Sequence, residues 1–338
     1  DVLTLPAGSR VGFDTQTDET VVAVPGEATV VLSGRDPLAL PLVASTAHAA
    51  QVTVTHWGVL MYGAPYAVAI EKGFYKEAGI DVTGVLTSKG GGTTMRNVMA
   101  AEMPYGEVAL SAVVAAINQG VDLKIVHTGV QTVGEILWVT MPDSPVKTVA
   151  DLAGKKVAFT SPKSVTDMLL TMVTDKHGVK VDAVAAGGIG AGLTMLQQGG
   201  VVAAPIMDPV WARMQDRFRP VFMVKDELAQ MTQTVGVTTA EFARANADTL
   251  RALIKARKRG VEFIYANPKE AADIVAKHYE IDPALALRAI NNLIPLKYWG
   301  TGEFDIEAMN NMIGGLRIIG EVEGNVDWDK FVDASFLE

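Results

Sequence analysis

The sequence predicts an α/β protein with two lobes, each built on a mainly parallel sheet flanked by helices. From about residue 51 onward, short apolar segments typical of buried strands alternate with segments of helical periodicity. This alternation is typical of βαβ units, in which consecutive strands run parallel. The chain has 338 residues, of which 49% are apolar, and single cores rarely grow beyond about 250–300 residues. Its length and composition therefore favour two cores.

The composition argues against several classes of function. The net charge of −9 provides no basic stripe to neutralise phosphates, so we expect no nucleic-acid partner. The chain has no cysteine, which excludes thiolate nucleophiles, disulfides and Cys-ligated metals. Its five histidines form no HxxxH or HExxH pair, so we expect no metal site and no cofactor. The basic run at 255–259 is interpreted as the solvated face of a helix.

Residues 1–50 are predicted to form a separate N-terminal extension. Segments 21–24 and 29–32 have the composition of short strands around a Pro-Gly turn. An apolar stretch then ends in Ala47-His48-Ala49, as a secretory signal does, with Ala49 or Ala50 as the last residue removed. The basic start of such a signal is missing. The extension is therefore either an export remnant or a structural arm, and the sequence leaves both open.

Two crossing strands divide the remaining chain into a discontinuous first lobe, 51–136 plus 239–338, and a second lobe, 137–238. The crossings are predicted at 137–140 and 233–238, where a pair of hinges would let the lobes close over a ligand. The predicted strands are 51–55, 81–86, 107–110, 124–127, 136–140, 157–160, 181–184, 201–207 and 233–238. The predicted helices are 64–72, 95–101, 112–119, 193–198, 240–246, 248–265, 268–278, 283–293 and 306–319.

Polar residues follow three of the predicted strands, at the point where each strand turns into a helix. In the turn after strand 157–160, either Ser161 or Ser164 can cap the helix, and Pro162 suits its first position. The free N–H groups of a helix start favour an anionic or polar ligand. Gly91–Thr94 and Ser111 repeat this pattern. Because ligands gather beyond the carboxyl ends of parallel strands, we expect the three turns to converge on one small polar ligand.

Several stretches resemble the nitrate/sulfonate/taurine group of ABC-transporter solute-binding proteins, which is related to the thiamin-pyrimidine synthases. These stretches are GAPYAVAIEKGFYKEAGIDV at 63–82, the Gly91-Gly92-Thr93 turn, PVKTVADLAGKKV at 145–157, SPKS at 161–164 and MDP at 207–209. The resemblance implies a type II periplasmic-binding fold, a monomer in the periplasm, and capture of a small organic molecule for delivery to a membrane permease. We expect this molecule to be sulfonate-like, or aromatic or heterocyclic. The extension before residue 51 departs from the family.

The resemblance implies ligand loops at 56–58, 91–94, 111–112, 160–164 and 207–208, to which the residues themselves add Tyr62 and Glu135. The candidate ligand-binding residues are His56, Trp57, Gly58, Tyr62, Gly91, Gly92, Thr93, Thr94, Ser111, Ala112, Glu135, Thr160, Ser161, Ser164, Met207 and Asp208. For His56 a structural role stays equally open.

An enzyme acting on a pyrimidine or sulfinate-type substrate is the alternative function, because enzymes share this fold. The related enzymes rely on cysteine, which this chain lacks, so we expect no enzyme and no catalytic residues.

If two of the candidate pocket residues line the cleft, they favour an aromatic or heterocyclic ligand over a small inorganic anion. Tyr62, Trp211 and Trp299 offer more aromatic surface than nitrate needs, although each also suits a core. Apart from Arg96, no arginine stands near the proposed loops, so no bidentate clamp for a carboxylate or sulfonate is evident. Glu135, if it faces the cleft rather than solvent, would prefer an amine or another N–H donor to a free anion.

Overall fold

The computed structural model describes residues 10–14, 19–23, 30–33, 49–88 and 91–338, which fall into two compact units. In the unit Asp1–His48, an antiparallel sheet contains β1 (Arg10–Asp14), β2 (Glu19–Ala23) and β3 (Val30–Ser33), with β2 in the middle. The sequence predicted β2 and β3 but not β1, whose glycine and charged ends weaken the strand pattern. The predicted Pro-Gly turn lies outside the described residues, and Ala49 begins the first strand of the second unit.

The unit Ala49–Glu338 alternates strands and helices much as the sequence predicts. Its strands are β4 (Ala49–Val54), β5 (Asp81–Leu86), β6 (Tyr105–Ala109), β7 (Leu123–Thr128), β8 (Leu137–Thr140), β9 (Lys156–Phe159), β10 (Asp182–Ala185), β11 (Ala204–Ile206), β12 (Arg219–Met223) and β13 (Thr234–Thr239). Its helices are α1 (Ala64–Glu71), α2 (Phe74–Glu77), α3 (Gly91–Ala100), α4 (Leu110–Asn118), α5 (Val165–Lys176), α6 (Ile189–Gln197), α7 (Val210–Met214), α8 (Val224–Glu227), α9 (Ala240–Ala245), α10 (Ala247–Ala266), α11 (Pro268–Tyr279), α12 (Pro283–Leu293), α13 (Ile306–Ile318) and α14 (Trp328–Phe331).

The first sheet of this unit has the strand order β5-β4-β6-β13-β7. Strand β4 pairs parallel with β5 and β6, as βαβ connections require, whereas β13 runs antiparallel between β6 and β7. The carboxyl ends of β4 and β6 therefore lie at one edge of the sheet, where α3 and α4 begin.

The second sheet contains the remaining five strands in two hydrogen-bonded groups. Strand β8 lies antiparallel between β11 and β12, and β9 pairs parallel with β10. A parallel bridge from Val157 to Ala203 links the two groups, since Ala158 N donates to Ala203 O at 2.9 Å. The Trp138 ring of β8 stacks on Phe222 of the neighbouring strand β12, with ring centroids 5.0 Å apart.

The crossings between the sheets differ from the prediction. The sequence assigned 137–238 to the second lobe, with strands as hinges. In the structure β13 belongs to the first sheet, because buried Val235 and Val237 insert it between β6 and β7, and β8 belongs wholly to the second. The connections between the sheets are therefore the segments 129–136 and 224–233.

A buried ion pair ties α10 to the first sheet. Arg257 Nε donates to Glu107 Oε2 at 2.9 Å, and both side chains are at most 1% exposed. Thr234 Oγ1 donates to the other Glu107 oxygen at 2.6 Å, and Gly300 O accepts from Arg257. The prediction that the run 255–259 is a solvated face is therefore wrong for Arg257, whose charge has a partner in the core.

No helix in the described part of the chain combines the length and apolarity needed to cross a bilayer.

Candidate functional site

The start of helix α3 differs from the predicted loop before a helix at Met95. The helix begins at Gly91, so Gly91, Gly92, Thr93 and Thr94 form its first turn. A Cβ on Gly91 would lie 2.6 Å from Ala112 Cβ, so glycine is what lets α3 and α4 approach this closely. Tertiary packing here overrides the poor helix propensity of glycine, on which the prediction rested.

The polar residues of this first turn bond to neighbouring strands and to each other. Thr94 is buried, and its Oγ1 lies 2.6 Å from Ser88 Oγ and 3.4 Å from Thr55 Oγ1. Thr93 is exposed and accepts a hydrogen bond from Arg96 at 2.9 Å. The hydroxyls of Ser88, Thr55 and Thr94 therefore anchor α3 to the carboxyl end of β4.

Helix α4 begins at Leu110, which places Ser111 and Ala112 inside its first turn, two residues earlier than predicted. Both residues are half-buried. Leu110 N donates to Gln233 O at 3.0 Å, which fixes this helix start to the connection 224–233. Through Gly91 and Ala112, the starts of α3 and α4 and one connection between the sheets form a contiguous group.

The turn before α5 resolves which serine caps the helix. Ser164 is the N-cap, and its Oγ accepts from Asp167 N at 3.2 Å, whereas Ser161 is exposed. Thr160 Oγ1 donates to Ser164 Oγ at 3.0 Å and lies 2.7 Å from Thr166 Oγ1. These hydroxyls hold one another, and Thr160 O accepts from Gly187 N at 2.7 Å. The turn is a well-satisfied cap on the second sheet.

Aromatic rings line the segment after β4. The Tyr62 and Tyr298 rings stack with centroids 6.4 Å apart at 20°, and His56 meets Tyr62 edge-on at 6.1 Å. The half-buried Trp57 packs edge-on against Tyr279 at 5.2 Å. Gly58 has φ +75°, a conformation that favours glycine and turns the chain between His56 and Tyr62.

Of the two tryptophans considered as candidate pocket residues, Trp211 and Trp299, the second is a core residue. Its ring is 1% exposed and donates from Nε1 to Met61 O at 2.8 Å. Trp211 is half-buried on α7 and packs at the edge of the cluster under the second sheet. Trp299 is therefore satisfied inside the first core and leaves the contacts with a ligand to other rings.

Glu135 lies on the first connection between the sheets and is almost completely buried, with 4% exposed. Within the described residues, neither carboxylate oxygen has a hydrogen-bond partner of ordinary geometry, although the backbone N–H of Glu135 and the Gln233 side chain lie close by and lower its pKa in part. Burial raises the pKa of Glu135 to about 8, the neighbouring Gln233 lowers it in part, and the charge of Asp208 raises it further. The alternative of a solvated hinge carboxylate is excluded, because this side chain does not reach solvent.

Two residues of the second connection are also buried and carry an unpaired polar atom. Gln233 is 4% exposed and Thr232 is fully buried, and neither Gln233 Oε1 nor Thr232 Oγ1 has a hydrogen-bond partner. Sequence reasoning missed both as site residues. The signal available was that Gln233 stands at a predicted crossing, where a buried amide has no reason to be placed for packing alone.

Asp208 follows β11 and reaches across to the first sheet's helices. Its Oδ1 accepts from Ala212 N at 3.0 Å, and both of its oxygens lie 3.2 Å from Asn292 Nδ2 on α12. Burial raises the pKa of Asp208 to about 7, although the hydrogen bonds from Asn292 and Ala212 lower it in part. Met207 beside it is buried at 7% exposed.

The structure therefore brings some predicted residues together and leaves others apart. Gln131 N, four residues before Glu135, donates to Tyr298 O at 3.1 Å, and the Tyr298 ring stacks on Tyr62, which places both rings beside the first connection. Burial raises the pKa of Tyr62 and Tyr298, and the charge of Glu135 adds to both shifts. Asp208 joins them through its effect on Glu135. We call Tyr62, Glu135, Asp208, Gln233 and Tyr298 the junction cluster.

Other predicted residues stand at different distances from the junction cluster. Gly91, Ser111 and Ala112 connect to it through the hydrogen bond at Gln233 O, and His56 connects through the Tyr62 ring. The turn 160–164 bonds within itself, to Gly187 and to the end of α13. Within the described ranges, no group of three or more His, Asp or Glu side chains is arranged to hold a metal ion.

Comparison with solved structures identifies the fold as that of periplasmic binding proteins. The aliphatic sulphonate binding protein SsuA from Escherichia coli is similar with a TM-score of 0.68 and 17% identity, over 83% of this chain and 91% of that one. The nitrate-binding protein NrtA from Synechocystis PCC 6803 gives 0.61 and 15%, over 86% and 87%. The desulfurization enzyme DSZB gives 0.62 and 14%, over 85% and 97%. The two-lobed type II architecture predicted from the sequence is confirmed.

The family model described as NMT1/THI5 like matches residues 61–271. This match covers more than half of the chain, which therefore belongs to that family. The search of curated proteins gave no match.

Proposed function

We propose that this protein is the solute-binding component of an ABC import system, which captures a small organic molecule between two lobes and presents it to a membrane permease from the periplasm. The first lobe comprises 49–128 and 234–338, and the second comprises 137–223. The segments 129–136 and 224–233 act as the hinges. Family membership and the fold support this role, since SsuA and NrtA bear the names of periplasmic binding proteins.

One observation carries the proposal: among the described residues, both connections between the sheets carry buried polar atoms without hydrogen-bond partners, in addition to others on Thr53, Tyr66, Tyr75, Thr128, Arg257 and Tyr279. Glu135 Oε1 and Oε2 belong to the first connection, and Gln233 Oε1 and Thr232 Oγ1 belong to the second. Buried polar groups are nearly always paired, so a cluster of unpaired ones at a hinge calls for a partner that arrives from outside.

The first turns of α3 and α4 add backbone N–H groups from the first lobe, whereas in the turn before α5 the N–H groups of Thr160, Lys163 and Ser164 already have partners. In the first lobe, Gly91 and Ser111 stand in helix starts that are already fixed to the second connection. The second lobe contributes the exposed Ser161 when it closes. The sites at the two lobe faces thus become one site only in the closed form.

The test is a thermal-shift screen over sulfonates, nitrate, aromatic acids, pyrimidines and amines, followed by calorimetry on each compound that raises the melting temperature. A ligand at 100 times its Kd stabilises the native state by about 2.7 kcal/mol, which shifts the melting temperature by a few degrees. The compound should be recovered unchanged after incubation. Chemical conversion would favour an enzyme of this fold, and the absence of any shift would argue against solute capture.

A further inference from the structure

The unpaired atoms of Glu135 and Gln233 at the two connections are acceptors, while the nearby backbone donors are occupied. Glu135 contributes two carboxylate oxygens and Gln233 a carbonyl oxygen, none with a partner. By contrast, Gln233 N donates to Val130 O at 2.9 Å and Thr232 N donates to Ala308 O at 3.2 Å. Apart from the Thr232 hydroxyl, which can donate or accept, these unpaired atoms call for a donor. Because burial raises the pKa of Glu135 to about 8, its carboxyl is largely protonated at neutral pH until such a donor stabilises the ionised form.

The charged surroundings of Glu135 have the same sign. The neighbouring charge that acts on Glu135 is that of Asp208, a second carboxylate. Lys225 packs its Cβ close to Gly134, but its ammonium group is exposed and binds Asp226 at 2.9 Å. Arg257 is committed to Glu107 in the core of the first sheet. A cation with N–H groups at Glu135 would stabilise the ionised carboxylate and pair its oxygens, which a ligand without N–H donors cannot do.

The aromatic members of the junction cluster also favour a cationic ligand. Tyr62 and Tyr298 are nearly parallel, with an interplanar angle of 20°. Both rings are buried, at 6% and 2% exposed, so their faces are shielded from water. The negative face of a tyrosine ring attracts a cation most strongly where it is desolvated. Rings and acceptors thus favour a flat or compact ligand that carries N–H groups.

We propose, on the basis of the function proposed above, that the ligand is an organic cation of the amidinium or ammonium class, whose N–H groups donate to Glu135 and to Gln233 Oε1. Asp208 contributes a second negative charge from the other lobe while Asn292 holds it in place. The selectivity of this site is then opposite to that named for SsuA and NrtA, a sulphonate binder and a nitrate binder.

The experiment uses the full chain and a charge series of one shape: benzamidinium, benzamide and benzoate, with benzenesulfonate and nitrate as further anions. Calorimetry at pH 7.5 should show binding of benzamidinium, at least tenfold weaker binding of benzamide, and none of the anions. Glu135→Gln should weaken benzamidinium at least about thirtyfold, since truncating one partner of a buried charge pair typically costs 2 kcal/mol or more. Glu323→Gln removes the same charge from an exposed position and should leave the affinity unchanged.

The outcomes separate the two proposals. Binding of benzenesulfonate or nitrate that is unchanged by Glu135→Gln would overturn the cation inference and leave solute capture standing. Binding of none of the five probes, together with no hit in the broader screen, would overturn both. An intact melting transition of the Glu135→Gln variant shows that a lost affinity is a lost contact and not a lost fold.

Discussion

At the residue scale, the backbone conformation of a single serine determines whether it forms a structural helix cap or stays available to a ligand. Ser164 and Ser161 were equal candidates in the sequence, because both flank Pro162 and both carry a hydroxyl. The structure decides between them: Ser164 has the extended conformation of an N-cap, with φ −83° and ψ 165°, and its Oγ accepts from Asp167 N. Such a choice depends on dihedral angles that the local composition does not encode.

Replacing Ser164 with alanine should destabilise the protein by about 1 kcal/mol, because the Asp167 N–H then loses its cap. Urea unfolding measures the change. Ser161→Ala is the matched control, since that side chain is exposed, and it should change the free energy of unfolding by less than about 0.5 kcal/mol. Equal effects of the two substitutions would contradict the cap assignment.

Glu135 should make the stability of the ligand-free protein depend on pH. Its pKa is raised from 4.5 to about 8, so the folded chain holds a proton that the unfolded chain releases. The free energy of unfolding therefore falls as pH rises from about 4.5 to 8 and levels off above. Glu135→Gln removes this ionisation and should be more stable than the parent by up to about 4 kcal/mol at pH 8.5, with little difference at pH 4.

Chemical denaturation of both proteins at the two pH values measures this difference. Glu323→Gln serves as the control for the loss of one negative charge and should follow the parent at both. A Glu135→Gln variant that is no more stable at pH 8.5 than at pH 4, relative to the parent, would mean that the carboxylate finds a partner in the native state.

At the scale of elements, the starts of α3 and α4 are set by their mutual contact. The sequence placed these helices correctly but began them late, since glycines and a serine are typical of loops. Contact between Gly91 and Ala112 is a long-range property, which periodicity cannot supply. The same limitation hid the hydrogen bond from Leu110 N to Gln233 O.

Two adjacent glycines test that contact. Gly91→Ala should destabilise the protein by about 1–3 kcal/mol, because the new Cβ would lie 2.6 Å from Ala112 Cβ. Gly92→Ala meets nothing closer than 3.8 Å and should stabilise by about 0.5–1 kcal/mol, since it raises helix propensity and reduces the freedom of the unfolded chain. Thermal or urea unfolding distinguishes them by the opposite sign. Stabilisation by both would show that α3 can move away from α4.

At the scale of the whole molecule, much of the architecture follows from the sequence and the arrangement of the site does not. Alternating segments predict the two sheets, because burial imposes the pattern on every strand. The membership of β13 was not predictable in the same way, since its buried valines fit either sheet equally well. Thr232 and Asn292 were not predicted as site residues, because their role at the site depends on which groups pack against them in the folded chain.

Asn292 and Asp208 join an element of the second sheet to α12, which lies with the helices of the first. Asn292→Ala should lower the free energy of unfolding at pH 8 by about 1–3 kcal/mol, because it leaves a buried carboxylate with a single donor. Asn291→Ala, on the same helix but exposed, should have little effect. Urea unfolding at pH 8 compares them. Indistinguishable variants would mean that this bond contributes nothing to holding the sheets together.

The position of β13 also determines when the first sheet can be completed during synthesis of the chain. β6 and β7 flank this strand, yet they leave the ribosome more than a hundred residues before it. Until β13 is synthesised, the backbone N–H and C=O groups of β6 and β7 that pair with it have no hydrogen-bond partner in that strand. Such unpaired strand edges favour association with other chains. Nascent chains that stop before residue 234 are therefore expected to depend on chaperones, while the release of the complete polypeptide closes the gap.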